Sequence, residues 1–277
     1  MDAPNERWWN QPQLWVELFA IVNIGFLTFD IYLAHNVNQF RNPAEYVPFF
    51  FSLSSPLVLI VALLFRNRRP MIWNLLGQVV GWSAILVGLI GVILHLQSHF
   101  FYERTLRSLT YAAPFAAPLA YTGLGFLLIL NRMVDSESIE WAQWVLLFTL
   151  GGFIGNFVFS VADHAQNGFF LPLEWVPVTA SAVAIGFLAV PLLMRVSRVF
   201  IELCAAVLLL EAAVGLWGFI LHTDANLRGP SIHAFDNFVN GAPPMAPLLF
   251  PNLMVLGIIA LWQLRNSRTY LIDSPVA

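Results

Sequence analysis

Val87-Gly88-Leu89-Ile90-Gly91-Val92-Ile93-Leu94-His95 and Val214-Gly215-Leu216-Trp217-Gly218-Phe219-Ile220-Leu221-His222 agree at seven of nine positions without a gap. Each ends a long apolar run on a histidine. Apolar composition yields chance matches of Leu, Val and Ala. It does not readily yield a histidine at fixed distances from two glycines, twice. Other matches keep the same order. Trp15-Val16, Phe19 and His35 pair with Trp144-Val145, Phe148 and His164. Glu45-Tyr46-Val47-Pro48 pairs with Glu174-Trp175-Val176-Pro177. Ala113-Pro114 and Ala117-Pro118-Leu119 pair with Ala242-Pro243 and Ala246-Pro247-Leu248. The offset stays between 127 and 129, so the chain reads as two copies of one unit.

Composition says where such a unit lives. Of 277 residues, 58% are hydrophobic and 10% charged, against about 25% charged in soluble domains. That excludes a soluble domain and a disordered chain. The lack of basic excess (net charge −3) excludes a nucleic-acid binder, and one cysteine, Cys204, excludes a disulfide scaffold. A bilayer core takes about 20 apolar residues per helix. Eight stretches qualify, at 14–34, 47–65, 71–94, 113–131, 142–162, 175–194, 199–221 and 245–264. The expected fold is an all-α integral membrane protein of eight transmembrane helices, in two parallel four-helix repeats over 12–136 and 140–268. Four spans per repeat make both copies enter in the same sense, about a pseudo-twofold axis near the membrane normal, unlike an inverted repeat.

An even number of spans puts both termini on one side. That side would carry Arg7, Arg66, Arg68, Arg69, Arg132, Arg195, Arg198, Arg265 and Arg268, and the other Arg41, Arg104, Arg107 and Arg228. Nine against four predicts cytoplasmic termini, as in a bacterial inner or plasma membrane. The acidic, aromatic N-terminus lacks the basic region of a cleaved leader.

All six histidines fall toward the extracytoplasmic side. His35 and His164 end the first helix of each repeat, His95 and His222 end the third, and Glu45 and Glu174 open the second. Two imidazoles and a carboxylate form a common donor set for iron, copper or zinc. The alternative is hydrated interfacial histidines beside glutamates that merely favour a helix N-terminus. His99 would share the face of His95 if that helix continued; His233 lies in the last loop. Gly88 and Gly91 share a helix face with His95, and Gly215 and Gly218 with His222. Such faces suit either close helix packing or a haem b ring laid on glycine and held by histidine. Glu211 sits mid-span, about 16 Å from His222, where a charge costs ~2.5 kcal/mol or more. Its first-repeat counterpart is Ala84. It is the candidate proton relay, or else a structural carboxyl. Asp30 is expected to pair with an Arg of the extracytoplasmic loops, and Glu17 and Glu202 to reach headgroup water.

Three functions compete. The first is a redox protein with duplicated His/His/Glu sites that bind haem or a transition metal and exchange electrons with a quinol or an extracytoplasmic carrier. The second is a non-catalytic subunit of a larger membrane complex. The third is a metal-ion or small-solute transporter, for which only Glu211 lies deep. No nucleotide-binding or hydrolase motif is present.

Overall fold

The computed structural model describes residues 10–110, 113–267 and 270–272. Arg7 and Arg268 lie outside the described residues. The fold is helical: α1 Pro12–Asn36, α2 Tyr46–Phe65, α3 Pro70–Gln97, short α4 Phe100–Glu103 and α5 Leu106–Thr110, α6 Leu119–Met133, α7 Ile139–Gln166, α8 Trp175–Leu193, α9 Arg198–Leu227, short α10 Ala234–Asn240 and α11 Leu249–Asn266. Proline opens several of these elements, since the first-turn N–H has no helical partner to lose. Ser138 and Ser197 cap α7 and α9 by accepting the N–H of Trp141 and Phe200.

Among the described residues seven helices are long and apolar enough to cross a membrane. The expected fourth span falls short. Residues 113–118 form turns, and α6 has only 15 residues, about 22 Å at 1.5 Å each. Pro114 and Pro118 explain the late start, because the residue before a proline is disfavoured in helical geometry. The loop after α9 is shorter than expected, since α9 runs to Leu227 and α10 follows.

In the first half α1 packs on α2, α2 on α3, α3 on α6, and α6 back on α1. In the second half α7, α8, α9 and α11 close a ring in the same order. The halves meet through α1 with α11 and α6 with α7. Asn23 and Asn252 exchange side-chain hydrogen bonds across the first contact, and Phe126 stacks on Phe148 at 6.2 Å across the second. Ile24, Leu59, Leu128, Trp141, Phe153, Leu188 and Leu208 join in one continuous core. Long apolar side chains cover the outside, such as Leu64 at 73% and Leu209 at 58% exposure. An apolar exterior of that extent is a lipid-facing surface.

Glu17 corrects the sequence reading. It is fully buried and does not reach headgroup water. Its two oxygens accept from Arg132 Nη2 at 2.7 Å and Nη1 at 3.0 Å, and Asn131 donates at 3.3 Å. The guanidinium carbon lies 4.0 Å from the Trp73 ring centroid, and Gly77 leaves the room it occupies. Gln13 and Asn131 exchange side-chain-to-backbone bonds, and Arg66 donates to Gln11 and Gln13. This polar cluster ties α1, α2, α3 and α6 at one end. Glu202 does remain exposed, paired with Arg265 at 2.9 Å. Asp30 forms no ion pair among the described residues.

The second half carries Leu146 and Leu261, both buried, 129 positions beyond Glu17 and Arg132. Arg132→Leu alone strands a buried carboxylate and is expected to cost about 3–5 kcal/mol. Adding Glu17→Leu copies the second half and should restore most of that loss. Denaturant unfolding in micelles, read by helical signal, checks both. A double variant as unstable as the single one would show that the pair itself contributes the stability.

Candidate functional site

Two side-chain clusters sit at the end opposite the Glu17–Arg132 pair, one per half. His35 lies in the last turn of α1. The chain then reverses through Gln39 and Phe40, both left-handed at φ 59° and 50°. The Phe40 N–H donates to the His35 carbonyl at 3.1 Å. A 3-10 turn, Pro43–Glu45, delivers Glu45 to the start of α2. The second half repeats each step. Gly168 and Phe169 are left-handed at φ 70° and 52°, Phe169 N–H donates to the His164 carbonyl at 3.1 Å, and Pro172–Glu174 is a 3-10 turn before α8. A left-handed phenylalanine is strained, and such strain persists only where the surroundings over-determine it. Here ring stacking does so: Phe40 lies on Tyr46 at 5.0 Å and Phe169 on Trp175 at 4.1 Å.

Glu45 and Glu174 stand at the N-cap positions of α2 and α8, yet neither side chain caps its helix. Their position still suits the positive end of the helix dipole, but their oxygens are not used as caps. Glu45 Oε1 accepts from Asn38 Nδ2 at 2.8 Å, and its Oε2 lies 3.6 Å from His35 Nδ1. Oε2 of Glu45 and Oε2 of Glu174 are both buried without a hydrogen-bond partner. His164 and Glu174 form no ion pair among the described residues.

The third-helix histidines meet the first-helix ones. Ring centroids of His35 and His95 are 6.1 Å apart, and those of His164 and His222 are 6.5 Å apart. His95 Nδ1 is 2.9 Å from the Pro114 carbonyl, and His222 Nδ1 is 2.8 Å from the Pro243 carbonyl. A carbonyl only accepts, so both imidazoles donate from Nδ1, which in a neutral ring leaves the lone pair on Nε2. All six residues are half-buried.

The glycines have a different role from a haem seat. A Cβ on Gly91 would meet Pro118 Cβ at 2.8 Å, one on Gly88 the Pro118 carbonyl at 2.8 Å, one on Gly215 Phe250 Cβ at 2.6 Å, and one on Gly218 Pro247 Cβ at 3.0 Å. Their faces are filled by the chain entering α6 and α11, so a flat macrocycle has no room there. His99 leaves the cluster because α3 ends at Gln97, and His99 starts α4 with φ −152°. His233 is exposed at the start of α10. Glu211 is buried in α9, remote from both clusters along the helix.

Asn38, Phe40, Pro114 and Pro243 belong to the site although the candidate donors did not include them. The signal was the second occurrence of Asn38 and Phe40 as Asn167 and Phe169, and of Pro114 as Pro243, each 129 residues on. Among the described residues no three His, Cys, Asp or Glu side chains enclose a metal-sized space as they stand. The chain matches no known family, no characterised protein and no solved structure.

The Nδ1–carbonyl bonds make a spectroscopic prediction. Nitrogen NMR of labelled protein at neutral pH should show His95 and His222 as the Nδ1–H tautomer. An Nε2–H tautomer at either position would contradict the hydrogen bond to proline.

Proposed function

We propose that the chain is a tandem duplication of a four-helix membrane unit, and that each unit holds one transition-metal ion at the same membrane face. The ligands are His35, Glu45 and His95 in the first unit and His164, Glu174 and His222 in the second. One observation carries this: the same two imidazoles and carboxylate, with the same left-handed reversal and the same proline-tethered histidine, occur twice. The interface between halves supports the duplication, because α1 on α11 and α6 on α7 exchange under a twofold that maps one half on the other. In this reading α6 is the eighth, short span of the bundle.

The donor chemistry supports a metal. Two imidazoles on one ion at about 2.0–2.1 Å per bond place their centroids at most about 6.4 Å apart. That limit is the linear arrangement; at a tetrahedral angle the centroids stand about 5.2 Å apart, so the 6.1 Å and 6.5 Å pairs close by about 1 Å on binding. Each glutamate has an unpartnered oxygen to turn inward. The Pro114 and Pro243 carbonyls orient the histidines, and Asn38 orients Glu45, as outer partners do in metal sites. Such ligands suit zinc, copper and iron. With copper or iron, the face would exchange electrons with a quinol or an extracytoplasmic carrier. The arginine bias puts this face outside the cytoplasm and both termini within it.

Purified protein should bind two equivalents of metal, measured by elemental analysis after equilibration with zinc, copper or iron. His95→Ala and His222→Ala should each bind one. Asn38→Ala should weaken only the first site, by about 10–100-fold. Loss of both equivalents in either histidine variant would mean one merged site. No uptake in the parent protein would end the metal reading and leave a structural subunit of a larger complex.

A further inference from the structure

Helix α9 buries Glu211 completely, and neither carboxyl oxygen has a hydrogen-bond partner. Glu17 is buried to the same extent but has Arg132 and Asn131. The molecule thus contains its own comparison: two hidden carboxyl groups, one neutralised by a guanidinium and one by nothing. At the places of Asn131 and Arg132 the second half has Ala260 and Leu261.

Among the described residues no Lys or Arg side chain stands beside Glu211 on the surrounding elements, and α7 carries only Glu140 in its first turn and Asp163 and His164 in its last turns. Helix α8 has no Asp, Glu, His, Lys or Arg along its length. Helix α11 has only Arg265, in its last turn and paired with Glu202. Helix α10 contributes Asp236, an anion, in the loop region. On α9 itself Arg198, Glu202, His222 and Asp224 lie nine or more residues away, about 13 Å or farther. An unpaired charge so placed is too costly to persist, so the carboxyl holds a proton.

The surroundings are polar in one direction. Toward the clustered histidines lie further buried polar atoms without partners: Asn156 Nδ2 on α7, Thr223 Oγ1 on α9 and Glu174 Oε2. Toward the opposite end the core is Leu208, Cys204 and Ile201 on α9, Leu261 and Leu264 on α11, and Val145, Leu146 and Thr149 on α7, the Thr149 hydroxyl donating to the Val145 carbonyl. Trp141 Nε1 is the one unpartnered buried atom of this half on that side among the described residues.

We propose that Glu211 is a proton-binding site of the second half, a neutral carboxylic acid that exchanges its proton with the face bearing the two clusters. It does not depend on a metal being bound there. Infrared difference spectra of the parent protein and Glu211→Gln, in lipid bilayers at neutral pH, test it. A protonated-carboxyl C=O band should appear in the parent only and move to lower frequency in D2O. Absence of the band means a charged Glu211 and overturns the proposal. A band that does not move after prolonged D2O exposure means a sealed structural acid and also overturns it. Should Glu211→Gln not fold, Glu211→Asp, which keeps a carboxylic acid at the position, should shift the band instead, and an unshifted band overturns the proposal. Metal content, measured separately, leaves this outcome untouched.

Discussion

The close approach of α3 to α6, and of α9 to α11, governs the rest of the molecule. Gly81, Gly88, Gly91 and Gly125 line the first contact, and Gly215, Gly218 and Gly257 the second. In lipid there is no hydrophobic drive to press helices together, so side-chain size at the seam sets their distance. A Cβ at Gly88 or Gly215 would strike the backbone that leads into α6 or α11. That backbone carries Pro114 or Pro243, whose carbonyl holds His95 or His222. The glycines therefore act on the histidines indirectly, by letting the anchoring carbonyl come near.

The two halves diverge at the other end. The first fastens its helices with Glu17, Arg132, Asn131, Gln13 and Arg66. The second fills the matching volume with Leu146, Leu261, Ala260 and Ala142, and with Phe200 and Cys204 where the first has Trp73 and Gly77. A buried ion pair and an apolar substitute of similar volume differ little in net stability. What differs is chemistry. The first half binds its buried carboxyl as a salt, whereas the second has its lone carboxyl higher in α9, with no partner.

The helices and the cluster residues could be read from residue order, because all six candidate donors stand at element ends. A reversal of about ten residues between α1 and α2 leaves Glu45 little choice but to meet His35. The same connectivity brings Glu174 near His164. The Glu17–Arg132 pair was not readable in that way. Its partners are 115 residues apart, and the contact needs α1 beside α6 and a glycine at position 77 to admit a guanidinium. From the sequence each was only a charge near a membrane boundary. The glycine faces permitted two readings because a periodic pattern states which face is smooth, not what lies against it. The short α6 was signalled by Pro114 and Pro118, but a hydropathy window averages over them.

The inter-half contacts have an architectural consequence. Residues 134–138 are the only covalent connection between the four helices before them and the four after, and they make no part of either cluster. What aligns the halves is helix contact, of α1 with α10 and α11 and of α7 with α5 and α6. Those contacts are unlike in chemistry: Asn23 and Asn252 join α1 to α11, whereas the positions 129 after Asn23 and 129 before Asn252 hold glycine, Gly152, which faces Leu253 of α11, and Gly123. On the proposed duplication, two copies of either half alone would place asparagine against glycine at both seams. On that reading a half paired with a copy of itself loses the Asn23–Asn252 exchange, which only the two unlike halves together provide.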